Sequence, residues 1–213
     1  MGKRPVRTTL SAKNLMYRGV PREYIHADLD EYPIEENIRE LFARYMDYLD
    51  EMFDDKINLI LYGSNGSGKT YLSSLIVKEA YRRRYTSFRV TLKSFIDMHF
   101  KRDKDELIAE KLDEIINAEF LVIDEVGKET FDKSQLNITV LEELLRERDT
   151  QGKPTIICTN LPLEGRGGLY EQYGKSIQSL IDGNFVKIKF EGEDNRHDVT
   201  RKKRGIQLLL GEC

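Results

Sequence analysis

The chain has 213 residues, 39% hydrophobic and 33% charged, with a formal net charge of −3. That length fits one ordinary domain with an arm, and the balance is that of a highly charged globular chain, which excludes a disordered or membrane-embedded class. No stretch approaches the roughly 20 apolar residues of a membrane span, and Cys158 and Cys213 make no disulfide framework, so a reducing, cytoplasmic setting without a membrane partner is expected.

Residues 1–32 hold no sustained period and contain Pro5, Gly19 and Pro21, which predicts a basic arm with short ordered pieces. Lys3, Arg4, Arg7, Lys13, Arg18 and Arg22 crowd this arm, and Arg201, Lys202, Lys203 and Arg204 crowd a second basic tail at 201–213. Both ends suit phosphate or an acidic protein face, and equally suit plain solvation. Between them, 33–200 reads as the folded domain.

From Pro33 to about Phe53, apolar residues from Ile34 to Leu49 recur at helical spacing and predict one amphipathic helix. Ile57–Tyr62 is a short apolar run ending at a glycine, as a buried parallel strand would, and a helix from Lys69 to about Arg84 follows. Phe88–Leu92 predicts a second strand, with Ser94 capping the next helix through Phe100. The run Lys101–Asp105 interrupts that helix before another one reaches Asn117. Phe120–Asp124 is the third strand, and Ser134–Asp149 a helix with Leu136, Val140, Leu141, Leu144 and Leu145 inward. Thr155–Thr159 and Phe185–Phe190 complete five strands. Strands alternating with helices predict an α/β fold, a five-stranded parallel sheet with helices on both faces.

Gly63-Ser64-Asn65-Gly66-Ser67-Gly68-Lys69-Thr70 joins the first strand to the helix after it. Its glycines let backbone N–H groups wrap an anion at a helix N-terminus, Lys69 brings a point charge to β and γ phosphates, and the Thr70 hydroxyl belongs on Mg²⁺. ATP or ADP with Mg is therefore the expected cofactor. The third strand ends in Asp124-Glu125, two carboxylates at the sheet edge beside the phosphates. Asp124 is expected to support Mg²⁺ and Glu125 to polarise the attacking water, a role hydrolysis requires and binding alone does not. Asn160, directly after the fourth strand, either orients that water or forms the turn before Leu161-Pro162.

The order of these motifs resembles the AAA+ P-loop ATPases of the bacterial helicase-loader family, the DnaC and DnaI type, and the related transposition helper IstB. The resemblance spans roughly residues 15 to 200. It rests on Gly-Val-Pro-Arg-Glu-Tyr at 19–24, the loop at 63–70, Leu-Val-Ile-Asp-Glu-Val-Gly at 121–127, Thr159-Asn160-Leu161-Pro162, and Phe190-Glu191-Gly192-Glu193-Asp194-Asn195-Arg196. It implies that Arg196 is a sensor touching the phosphates and that little or no helical lid follows; the family's N-terminal zinc-binding or helicase-binding domain is expected to be missing here, because the short stretch before the first strand holds no metal-ligand cluster. A short phage-type or mobile-element loader has this shape. Lys101, Arg102 and Lys104, between the second and third strands, lie where the resemblance implies contact with single-stranded DNA, with Phe100 either a stacking ring or part of the core.

The resemblance implies an ATP-hydrolysing loader or remodeller of a hexameric replicative helicase, working as an ATP-dependent homo-oligomer that holds single-stranded DNA. Two alternatives remain: a transposase helper forming filaments on duplex DNA, and a nucleotide-binding module that regulates or inhibits a host loader. One departure bears on the rate. The family carries a Gly-Glu-Arg-hydrophobic-x-x-Arg pattern before the fifth strand, whose arginine reaches a neighbouring subunit's site. Here the run is Gly174-Lys175-Ser176-Ile177-Gln178-Ser179-Leu180, so both arginines are missing. Lys175, Arg166 or a partner protein is left to supply the charge, and hydrolysis by the isolated chain is expected to be slow.

Overall fold

The computed structural model describes residues 9–31, 34–128 and 135–190. Its strands β1 (Asn58–Gly63), β2 (Ser87–Thr91), β3 (Phe120–Val126), β4 (Thr155–Thr159) and β5 (Phe185–Phe190) form one sheet in the order β2-β3-β4-β1-β5. Every neighbouring pair is parallel. The helices are α1 (Ala12–Tyr17), α2 (Glu36–Asp47), α3 (Leu49–Asp54), α4 (Lys69–Arg82), α5 (Leu92–Lys101), α6 (Glu106–Ile116), α7 (Gln135–Gln151) and α8 (Leu169–Asn184).

The apolar runs are continuous because the central strands are covered on both faces. Leu59, Leu61, Phe120, Val122, Ile156 and Cys158 point to one side, where they meet α2, α4 and the N-terminal segment through Phe42, Leu72, Ile76, Leu15 and Val20. Ile60, Leu121, Ile123 and Ile157 point to the other, against α5 to α8 through Phe95, Leu112, Leu141 and Ile177. This is the α/β architecture expected from the alternation of elements.

Three local expectations are corrected. The helix expected over Pro33–Phe53 is two helices, broken at Tyr48 (φ −100°, ψ 32°). The Arg83 guanidinium donates to the Met46 and Asp47 carbonyls at 2.7 and 3.0 Å, taking the acceptors that a continuous helix would need there. The cap of α5 is Thr91 and not Ser94: the Thr91 hydroxyl accepts from the Ser94 amide. Leu136 is exposed, because α7 turns Val140, Leu141, Leu144 and Leu145 to the core and leaves its first turn outside. Helix α8 is an addition. It buries Leu169, Tyr173, Ile177 and Ile181 at four-residue spacing, across a kink at Gly174 (φ 83°, ψ 175°).

The N-terminal segment's ordered pieces lie on the sheet. Leu15, Val20 and Ile25 are buried, the Arg89 amide of β2 donates to the Arg18 carbonyl at 2.8 Å, and Lys78 of α4 donates to the Ala27 carbonyl at 2.6 Å. Residues 18–19 thereby cover the outer edge of β2, which would otherwise present unpaired backbone groups.

Candidate nucleotide site

The carboxyl ends of β3, β4 and β1 lie side by side, and the 63–70 loop rises from the last of them. Gly63 must be glycine: φ is 129°, and a Cβ there would stand 2.1 Å from the Phe190 carbonyl oxygen of β5. Gly66 (φ 74°) and Gly68 (φ 98°) complete the curl before α4 begins. Lys69, only 6% exposed, turns its ammonium back into the curl and donates to the Gly63 carbonyl (3.0 Å), the Ser64 carbonyl (2.6 Å) and the Ser67 hydroxyl (3.1 Å). A cradle of amides at a helix N-terminus beside a buried ammonium is the chemistry that a polyphosphate requires.

A cavity of about 280 Å³ opens over this loop. Asn65, Gly66, Ser67, Gly68, Lys69 and Thr70 line it together with Asp124, Glu125 and Asn160. Gly63 and Ser64, at the root of the loop, are not part of the lining. Thr70 and Asp124 thus present a hydroxyl and a carboxylate to one space. Among the described residues no cluster of three or more His, Cys, Asp or Glu could hold a metal by itself. Two oxygen ligands completed by phosphates and water fit Mg²⁺, a hard cation that keeps several waters.

Asp124 is 3% exposed and both its oxygens are engaged. Oδ1 accepts from the Glu125 amide at 2.7 Å; Oδ2 accepts from Arg89 Nη2 at 2.6 Å and Nε at 3.0 Å. Glu125 has φ 59°, and the β3–β4 register shifts between Ile123 and Val126. This bulge re-aims Glu125 out of the sheet into the cavity, where Lys128 Nζ stands 2.9 Å from Oε1. A β-branched or apolar residue would not hold that left-handed conformation without support. Cys158 also lines the cavity, but burial and the nearby Asp124 charge push its thiol up, so it stays protonated and inert at neutral pH.

The remaining expected residues lie elsewhere. Lys101 ends α5, and Arg102 and Lys104 form the short 3₁₀ turn after it, all exposed and outside the cavity. Ten residues of α5, a rise of about 15 Å, separate them from Thr91. Phe100 is 48% exposed and edge-on to His99, so its ring is not in the core. Arg196 falls outside the described residues. Arg166 is exposed in the loop between β4 and α8.

Four features were missed in the sequence. Pro21, Glu23 and Tyr24 join the cavity wall from the N-terminal segment; they belong to the 19–24 motif, which carried the resemblance but no role at the site. Arg89 did leave a signal: a charge inside an apolar strand expected to be buried must have a partner. Lys128 left none. Arg146 is the fourth, since its Nη2 donates to the Ser176 hydroxyl at 2.9 Å while its Nε meets Glu142 at 2.9 Å. A guanidinium therefore stands against the residue that replaces the first missing family arginine.

The sheet order, the curled loop with its buried lysine and the two acids at the adjoining strand end define a P-loop nucleotide-binding protein of the AAA+ class. Comparison with known proteins gives the family: residues 20–182 match the model for IstB-like ATP-binding proteins, and the chain belongs to that family. It is 22% identical over 188 residues to the replicative helicase loader DnaC of Escherichia coli K12, covering 87% of this chain and 75% of that protein. It is 26% identical over 148 residues to the replicative helicase loader DnaI of Bacillus subtilis, covering 65% of this chain and 47%, about half, of that protein. A solved structure of the DnaC helicase loader superposes with a TM-score of 0.67 at 20% identity, over 80% of this chain and all of that one. No helix among the described residues is long and apolar enough to cross a membrane.

Proposed function

We propose that the chain is an ATP-hydrolysing switch that loads or remodels a hexameric replicative helicase in the cytoplasm, acting as an ATP-dependent oligomer on single-stranded DNA. The observation that carries hydrolysis is Glu125: a carboxylate turned by a strained bulge into the cavity that Lys69 also lines is more than holding a nucleotide demands. Nucleotide phosphates replace the three loop acceptors of Lys69, so that the ammonium neutralises them in a site of low exposure. Thr70 and Asp124 would hold Mg²⁺ together with the nucleotide, and the ion would supply further charge neutralisation at the phosphates. Glu125 then leaves Lys128, accepts a hydrogen bond from water and orients it for attack, with Asn160 donating to the same water and Arg196 as the expected sensor of the phosphates.

The loader role rests on likeness to DnaC and DnaI, and the family description favours one second reading, a transposase helper on duplex DNA. The two are separated by purified components. With the host's replicative helicase and a closed single-stranded circle, ATP should bring the helicase onto the circle, and Lys69→Ala should abolish this. Failure with helicase, together with ATP-dependent filaments on duplex DNA, would select the second reading.

A further inference from the structure

Arg89 has no role in the scheme above, although its guanidinium pairs with a carboxylate of the site through two donors. Nη2 and Nε both donate to Asp124 Oδ2, and Nη1 donates to the Gly19 carbonyl at 3.1 Å. The two side chains are 12% and 5% exposed, so water screens the pair weakly. The backbone fixes this arrangement from both sides. Arg89 and Gly19 face each other across the β2 edge so closely that a Cβ on Gly19 would lie 1.9 Å from the Arg89 carbonyl oxygen, and the Arg89 amide is bonded to Arg18.

We propose that Arg89 is a positioning residue for the metal: a tethered cation that satisfies Asp124 in the nucleotide-free protein and lets a divalent cation enter only together with the phosphates. The inference rests on reading Asp124 as the metal's support. A carboxylate whose charge is already met by a guanidinium attracts a second cation poorly, and a divalent ion a few ångströms from that guanidinium is repelled by it. The phosphates of a nucleotide add enough negative charge to reverse the balance. Cation binding is thereby made conditional on nucleotide. The same guanidinium holds Gly19, two residues before Pro21 of the cavity wall, so a shift of Asp124 toward a bound metal pulls on a segment that also lines the cavity.

Mn²⁺ binding followed by electron paramagnetic resonance tests this on the full chain without any activity. Nucleotide-free wild type should bind Mn²⁺ at least about tenfold more weakly than Arg89→Met, the scale set by removing one nearby like charge. The site gained in Arg89→Met should vanish in Arg89→Met with Asp124→Asn, and Arg89→Lys, which keeps a cation there, should remain as weak as wild type. Equal Mn²⁺ affinity in nucleotide-free wild type and Arg89→Met would overturn the proposal. So would a site in Arg89→Met that survives Asp124→Asn. If Arg89→Met does not fold by circular dichroism, Arg89→Gln takes its place with the same expected gain. A separate arm with ATP keeps the two readings apart: Mn²⁺ bound equally well by Asp124→Asn and wild type in the presence of ATP would remove Asp124 as the metal's support, whatever Arg89 does.

Discussion

Glu125 holds a conformation that costs a non-glycine residue about 1–3 kcal/mol, and its side chain faces the cavity instead of following the strand's alternation. Glu125→Gln preserves size and hydrogen bonding and removes the base. Nucleotide affinity should stay within about twofold while turnover falls by about 10²–10⁴; turnover unchanged in a steady-state phosphate-release assay would remove Glu125 from the reaction. Lys69→Ala acts at an earlier stage, because the loop then has no ammonium for the phosphates. A fluorescent ATP analogue should bind it at least about a hundredfold more weakly, the worth of about two charge-assisted hydrogen bonds. Cys158 supplies a contrasting residue-scale expectation. Its thiol lines the cavity but is buried and held protonated, so maleimide should label it only after unfolding.

At the scale of elements, two glycines with positive φ separate close packing from mere conformational freedom. Gly63 joins β1 to the phosphate loop at the point where β5 presses against it, whereas Gly174 kinks α8 with nothing within 4 Å of an added Cβ. Gly63→Ala must push β5 away as well as strain its own backbone, and should lose about 2 kcal/mol or more together with nucleotide binding. Gly174→Ala strains only its own backbone, which is extended at positive φ and essentially confined to glycine, at about 1–3 kcal/mol. Urea unfolding midpoints compare them directly, and a larger loss at Gly174 would show that the β1–β5 contact yields easily. The kink also explains why α8 was not read from the sequence: a glycine six residues into a four-residue repeat reads as a stop signal.

The whole molecule sets the rate through its neighbours. Both arginine positions of the family pattern hold Ser176 and Leu180, and Arg146, the guanidinium found against Ser176, is engaged by Glu142. Specific ATPase activity of the isolated chain should therefore be low and nearly flat across a wide concentration range, because an arginine reaching the transferring phosphate is worth about 10³–10⁵ in rate. A steep, cooperative rise would instead show that the oligomer supplies its own, with Arg146→Ala and Arg166→Ala deciding which. Single-stranded DNA binding should require ATP, weaken with salt, and fall in a double charge reversal at Lys101 and Arg102, both exposed where α5 ends. Undiminished binding in that variant, measured by fluorescence anisotropy, would move the contact elsewhere.

The strands, the phosphate loop and its two acids were legible in the residues alone because each depends on local order. An apolar run between turn signals is a buried strand wherever the chain goes, and a glycine-rich curl between a strand and a helix makes an anion cradle from its own amides. The partners of Asp124 and Glu125 were decided only by tertiary structure. Arg89 lies 35 residues before Asp124 in the chain and meets it because β2 and β3 pair in parallel, with Thr91 opposite Asp124. Tyr24 reaches the cavity because residues 18–19 lie along the edge of β2, and Arg146 meets Ser176 because α7 packs beside α8. Charge pairing across a fold depends on distance in space. Sequence spacing carries no record of that distance, and so a charge within an apolar strand announces the need for a partner without naming it.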